Sequence, residues 1–149
     1  MAVNKDYAGR SFPATQPYEV SRVKIGEFAD AIGDRNPLFR DRDAARGAGH
    51  PDVIAPPTFA IVISMANSAR VIGDPGLGVN YAMIVHGEQS FEYTRPIQAG
   101  DVLTATSTIA DIREVKSLTM ITTSTEIRTV GGEHVCTALS TLVERGGQP

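Results

Sequence analysis

From Val53 to Ala69 the chain carries no acidic or basic side chain, and this run constrains the fold more than any other feature. Pro56 and Pro57 interrupt it, because proline has no N–H to donate and its ring blocks the preceding turn. About a dozen residues beyond them can continue as helix, which at ~1.5 Å per residue span roughly 18 Å. The hydrocarbon core of a bilayer is ~30 Å thick, so the helix is expected inside the protein and not across a membrane. Thr58 opens it, and the residues from Phe59 to about Val71 are apolar on nearly every face. A helix of that kind has to be enclosed by other structure, and a sheet wrapped around it is the natural enclosure.

The C-terminal half supplies such a sheet. After the turn material Gly73 to Gly78, four runs rich in Val, Ile and Thr read as strands: about 83–93, 102–114, 118–129 and 133–143. Leu103, Ala105, Ser107 and Ile109 alternate with Thr104, Thr106 and Thr108, as one buried face demands. Gly131-Gly132 marks a hairpin between the last two strands, and Pro96 to Gly100 is expected to turn the first strand into the second. The expected class is therefore α+β: a buried central helix followed by a long antiparallel meander. Upstream, Ser21 to Gly33 reads as a first helix, with Ser21 as N-cap, Ile25, Phe28, Ala29 and Ile32 at helical spacing, and Gly33 able to take the left-handed terminal conformation. Residues 40–52 read as connector, with a short helix around Asp41 to Arg46.

Composition narrows the function. With 149 residues, 42% of them hydrophobic and 21% charged, the chain is expected to form one domain over residues 1–149. Its 14 basic and 17 acidic residues give a charge of -3 without long runs, so neither a nucleic-acid groove nor a polybasic membrane surface is expected. A lone cysteine, Cys136, excludes an internal disulfide, and its apolar alternating setting fits a buried small residue. With no apolar stretch near Met1 to mark secretion, a cytoplasmic protein is expected. No phosphate loop, nucleophile elbow, dinucleotide fingerprint or metal-ligand spacing is present.

Three motifs carry chemistry. The first is Gly33-Asp34-Arg35-Asn36-Pro37-Leu38-Phe39, with Ala45 six residues on. The second is Ile54-Ala55-Pro56-Pro57-Thr58-Phe59 at the start of the central helix. The third is Phe91-Glu92-Tyr93-Thr94-Arg95-Pro96-Ile97-Gln98-Ala99-Gly100-Asp101, preceded by His86-Gly87. Over nearly its whole length the chain resembles the MaoC-like dehydratases of the hot-dog fold. It is most similar there to small actinobacterial proteins related to the non-catalytic subunits of (3R)-hydroxyacyl carrier-protein dehydratases.

The resemblance implies an acyl-thioester ligand carried on coenzyme A or acyl carrier protein, with no further cofactor, and a homodimer or a heterodimer with a complete-motif hot-dog subunit. It assigns acid/base roles to Asp34 and Asn36, and acyl contacts to Phe39, Ala55, Pro57, Thr58, Phe59 and Gly87. The chain departs from the family pattern twice. Phe39 stands where the catalytic histidine belongs, and a phenyl ring moves no proton. Where the family reads Ala-His-Gly, with the glycine amide facing the thioester oxygen, this chain has Ala55-Pro56-Pro57 and no N–H. Three functions remain open at this point: a substrate-binding subunit weak or inactive alone, an active hydro-lyase using Asp34 with His86, and a hot-dog thioesterase. Asp34 and Asn36 also fit ordinary turn capping, His86 fits a hydrogen-bonded strand residue, and His50 and His134 are expected at the surface.

Overall fold

The computed structural model describes residues 2–146. Helix α1 (Arg22–Ala31) begins at the expected cap, with Ser21 Oγ accepting the Lys24 N–H at 3.0 Å. Gly33 ends it at φ +71, a left-handed conformation that favours glycine. Helix α2 (Arg42–Gly47) is capped by Asp41, and helix α3 (Ile61–Ile72) is the central one. Strands β1 (Tyr18–Glu19), β2 (Ile84–Tyr93), β3 (Val102–Val115), β4 (Leu118–Thr129) and β5 (His134–Arg145) form one antiparallel sheet.

Two expectations are corrected here. The sheet order is β1-β3-β4-β5-β2, so only β3, β4 and β5 form a meander. Strand β2 pairs with β5, at the far side of the sheet from β3. Pro96 to Gly100 is therefore a crossover and not a hairpin turn. Its backbone bonds go elsewhere: Ala55 N–H donates to Ile97 O at 2.7 Å, Ala99 N–H to Val53 O at 3.0 Å, and Gly100 N–H to Val20 O at 2.9 Å. Arg95 and Asp101 close the crossover with two parallel hydrogen bonds of 2.9 Å each, and Asp101 Oδ2 also accepts the Gln98 N–H at 3.0 Å.

The second correction concerns the central helix. Thr58 does not cap it; regular helix starts at Ile61 behind Ala60, which makes no side-chain cap bond. The two prolines lead into a stretch of i to i+3 bonds, Phe59 to Pro56 at 2.9 Å and Ile61 to Thr58 at 3.1 Å, before i to i+4 bonding takes over. Nor is α3 enclosed all round. Ile63, Asn67 and Val71 are buried against the sheet, while Met65 is 55% exposed on the other side.

Two apolar clusters hold α3 down. One joins α1, Phe39, Phe59 and Ile63 to Leu103, Ala105, Ile127 and Val135, and the other joins Val71 and Ile72 to Ile109, Ile112 and Ile121. Between them, fully buried Asn67 donates to Ser107 Oγ at 2.7 Å, and Ser107 bonds Thr125 at 2.6 Å, so the helix register is fixed by a polar contact as well as by packing. Residues 9–15 run along β3, with Phe12 N–H bonded to Ser107 O at 2.9 Å, and β1 continues that cover. Strand β2, at the other end of the sheet, has no strand on its outer side among the described residues.

Two stability outcomes follow. Asp101→Ala leaves the Arg95 guanidinium, 23% exposed, without its bidentate partner. It should cost about 2–3 kcal/mol in denaturant unfolding. Asp52 is different in kind: hydrogen bonds from Arg22 hold its carboxyl at about 2, below the ordinary 3.8, and so tie α1 to the 52–53 loop. A depressed folded pKa means the contribution is whole above the unfolded value of about 4 and is lost as pH falls. The Tm gap between the native chain and Asp52→Asn should hold steady at neutral pH, shrink below about pH 4 and close near 2.

Candidate functional site

The loop after α1 is built by its own polar side chains. Asp34 Oδ1 accepts the Asn36 N–H at 3.0 Å, and Asn36 Oδ1 accepts the Leu38 N–H at 3.0 Å, starting the short 3-10 turn Pro37–Phe39. Arg40 donates to Asp34 O at 2.6 Å from the far side of the turn. This turn drives Phe39 inward, where it is 5% exposed and packs in the first core cluster with Ile54 and Ala55.

One edge of Phe39 reaches a cleft of about 460 Å³, lined also by Asn36, Ile54, Ala55, Pro57, Tyr93, Thr94, Arg95 and Pro96. All three sequence motifs thus meet in one place. The volume lies in the ordinary range for a small-molecule site. Tyr93 Oη donates to Pro57 O at 2.6 Å, tying β2 to the entrance of α3. Burial pushes the Tyr93 phenol well above its ordinary range, so it stays a donor. Behind it lies Cys136, fully buried, its thiol pushed up to about 11 by desolvation and so held as the inert neutral form. At the outer rim His134 is half-buried and not the surface residue expected: its Nδ1 bonds Thr94 Oγ1, and its Nε2 meets Thr137 Oγ1 at 2.7 Å.

His86 lies elsewhere. It lines a second groove, of about 250 Å³, between α3 and strands β2 and β5. Its Nε2 is 3.1 Å from Glu88 O and 3.3 Å from Ser140 Oγ. The structure therefore does not pair it with Asp34, whose carboxylate is occupied in its own turn. Gly87 sits at a β-bulge where a Cβ would come within 2.9 Å of Val143 Cγ2, so glycine is required there by the packing of β2 on β5. Phe59, expected as an acyl contact, is fully buried in the core, with its ring edge-on to Phe28 at 5.3 Å between centroids. Thr58 is exposed at the turn leading into α3.

Of the expected site residues, then, Asn36, Phe39, Ala55 and Pro57 share the cleft, Asp34 braces the loop beside it, and His86 belongs to the groove. Tyr93 and the Thr94–His134 pair escaped the sequence reading. Tyr93 falls within the third motif, on the alternation Phe91-x-Tyr93, but only the folded chain shows what its hydroxyl meets. Among the described residues no three His, Cys, Asp or Glu side chains are grouped to hold a metal ion.

The curled sheet on its helix and the motif-lined cleft define a hot-dog protein of the dehydratase class. The family model described as FAS1-like, dehydratase domain region, matches residues 6–138, and the chain belongs to this family. A UPF0336 protein of Thermobifida fusca is 52% identical over 149 residues, covering 100% of this chain and 98% of the relative. Among solved structures, a MaoC-like dehydratase superposes with a TM-score of 0.88 at 32% identity over 95% of this chain, which spans only 43% of that longer protein. The C-terminally truncated HadBC (3R)-hydroxyacyl-ACP dehydratase complex of Mycobacterium tuberculosis has a chain that matches with a TM-score of 0.82 at 28% identity, covering 93% of this chain and 97% of that one.

Phe39 thus belongs to the core and to the cleft wall at once. Phe39→Ala should lower stability by about 3–5 kcal/mol, the usual loss for emptying an aromatic core position. An unchanged midpoint in urea would show that the ring is not a core element.

Proposed function

We propose that this chain is the acyl-thioester-binding subunit of a dehydratase of the (3R)-hydroxyacyl-thioester or (R)-specific enoyl hydratase type, in fatty-acid metabolism in the cytoplasm, and that alone it is weakly active or inactive. The observation that carries this reading is Phe39, a buried apolar ring at the motif position of the proton-transferring histidine, in a cleft where all three motifs meet.

Water addition across an enoyl thioester needs a group that moves a proton at the water or β-hydroxyl and a donor that takes up charge on the thioester oxygen. This cleft offers an apolar ring for the first and Pro57, which has no N–H, for the second. Asp34 already accepts a backbone amide within its turn. Acid–base catalysis is worth about 10²- to 10⁴-fold and one oxyanion donor about 10²- to 10³-fold, so together their loss leaves a site roughly 10⁴- to 10⁷-fold weaker. Binding needs neither group. The apolar walls of the cleft and the α3 groove still suit an acyl chain, borne by coenzyme A or a carrier protein.

Pairing fits the same reading. Strand β2 ends the sheet, and Met65, Tyr81 and Val85 lie exposed around it and α3. Such an edge is open to pairing with another chain, either a second copy or a hot-dog subunit with the complete motif. The similar chain of the HadBC complex, itself part of an assembly, supports the second arrangement.

The test is direct. The purified chain should bind a medium-chain acyl-CoA by calorimetry yet consume crotonyl-CoA, followed by ultraviolet absorbance, at close to the buffer rate. Turnover within about tenfold of an ordinary enzyme's ~10 s⁻¹ would overturn the inactive-subunit reading, and release of free thiol would establish a thioesterase in its place.

A further inference from the structure

We infer that the groove between α3 and strands β2 and β5 selects acyl chains bearing an oxygen function, a hydroxyl or a ketone, partway along their length. This rests on the acyl-thioester reading above and adds the chemical class of chain.

The groove is amphipathic in a particular way. Its walls are hydrocarbon, from Ile61, Met65, Ile72, Ile84 and Leu142. Its lining also contains Ser64, His86, Gln89 and Ser140. A saturated chain laid here would strip water from His86 and Gln89 and leave the already buried Ser64 hydroxyl without a partner, which is unfavourable wherever polar atoms are covered. An oxygen atom at the right depth would answer them.

Ser64 makes the case most sharply. It is 3% exposed on α3, and its hydroxyl has no hydrogen-bond partner among the described residues. Serine in a helix commonly bonds back to the carbonyl one turn earlier, and this one does not. His86 faces the same groove from β2. Its Nε2 is engaged by Glu88 O and Ser140 Oγ, and its Nδ1 has no protein partner among the described residues. The β-bulge between His86 and Glu88 sets this placement, and bulges serve to re-aim a side chain. Ser64 lies about 6 Å along the helix from Ala60 at ~1.5 Å per residue. A chain whose thioester sits at the helix entrance therefore presents interior carbons, and not its reacting end, to Ser64 and His86.

The experiment uses the protein in whatever assembly it adopts in solution. Calorimetric titration compares decanoyl-CoA with decanoyl-CoAs carrying one hydroxyl or one ketone at successive interior positions. One interior position should bind about tenfold more tightly than the saturated chain, equal to about 1.4 kcal/mol. Ser64→Ala and His86→Phe should each remove most of that preference, read within each variant as the ratio of oxygenated-chain to saturated-chain affinity. His86 is exposed, so its variant tests the groove even if the buried Ser64 change disturbs folding. Equal or weaker binding of every oxygenated chain would overturn the inference and leave acyl-thioester binding intact. A preference that survives both substitutions would also overturn it, by placing the oxygen elsewhere. Failure of all these thioesters to bind would remove the underlying reading along with it.

Discussion

The Arg95–Asp101 pair fixes the path on which the placement of the other elements depends. Strand β2 has to leave one edge of the sheet and the next strand has to begin near the other, so the chain must cross the mouth of the fold between them. Two parallel 2.9 Å hydrogen bonds hold that crossover shut, Glu133 is a second carboxylate partner at 3.0 and 3.2 Å, and Asp101, the stronger of the two, keeps the guanidinium charge more firmly than usual. A bidentate carboxylate contact fixes direction as well as distance. The crossover then pairs with residues 53–55, which sets where the prolines lie and where α3 begins.

The cleft is a consequence of that placement. Residues 36–39 approach it from α1, residues 54–57 form its floor, and residues 93–96 close it from β2. The bond from Tyr93 to Pro57 O joins two of these walls, and the neutral phenol and neutral thiol behind it keep the interior free of charge. The two positions are placed locally. Phe39 contributes to the core and Pro57 to the entrance of the helix. Stability and chemistry make separate demands on the same positions, and at position 39 the buried phenyl ring meets the demand of packing.

The second groove obeys a different logic. Asn67, Ser107 and Thr125 satisfy one another beneath α3, as buried polar groups ordinarily do. Ser64, one turn away on the same helix, does not. The two positions, three residues apart, thus differ in that one closes a network within the protein and the other does not.

The sequence by itself determined the class of fold, because its periodicities are local. Seventeen uncharged positions from Val53 to Ala69 call for a helix packed on a sheet, though not one enclosed on every side, and the alternation of Leu103, Ala105, Ser107 and Ile109 requires a strand with one buried face. Ser21 and Gly33 mark the ends of α1 through backbone chemistry that needs no tertiary contact. That position 39 carries a phenyl ring, which moves no proton, was legible in the same way, since a side chain's chemistry is written in its name. What the tertiary structure decided are the pairings between distant segments. Nothing local distinguishes a hairpin at Pro96 to Gly100 from a crossover, because the choice is made by hydrogen bonds to residues 20, 53 and 55 and by the reach of Arg95 to Asp101. Asp34 and His86 were similarly free to meet in the sequence. The fold puts one in a capped turn and the other in a groove on the far strand, because β2 pairs with β5.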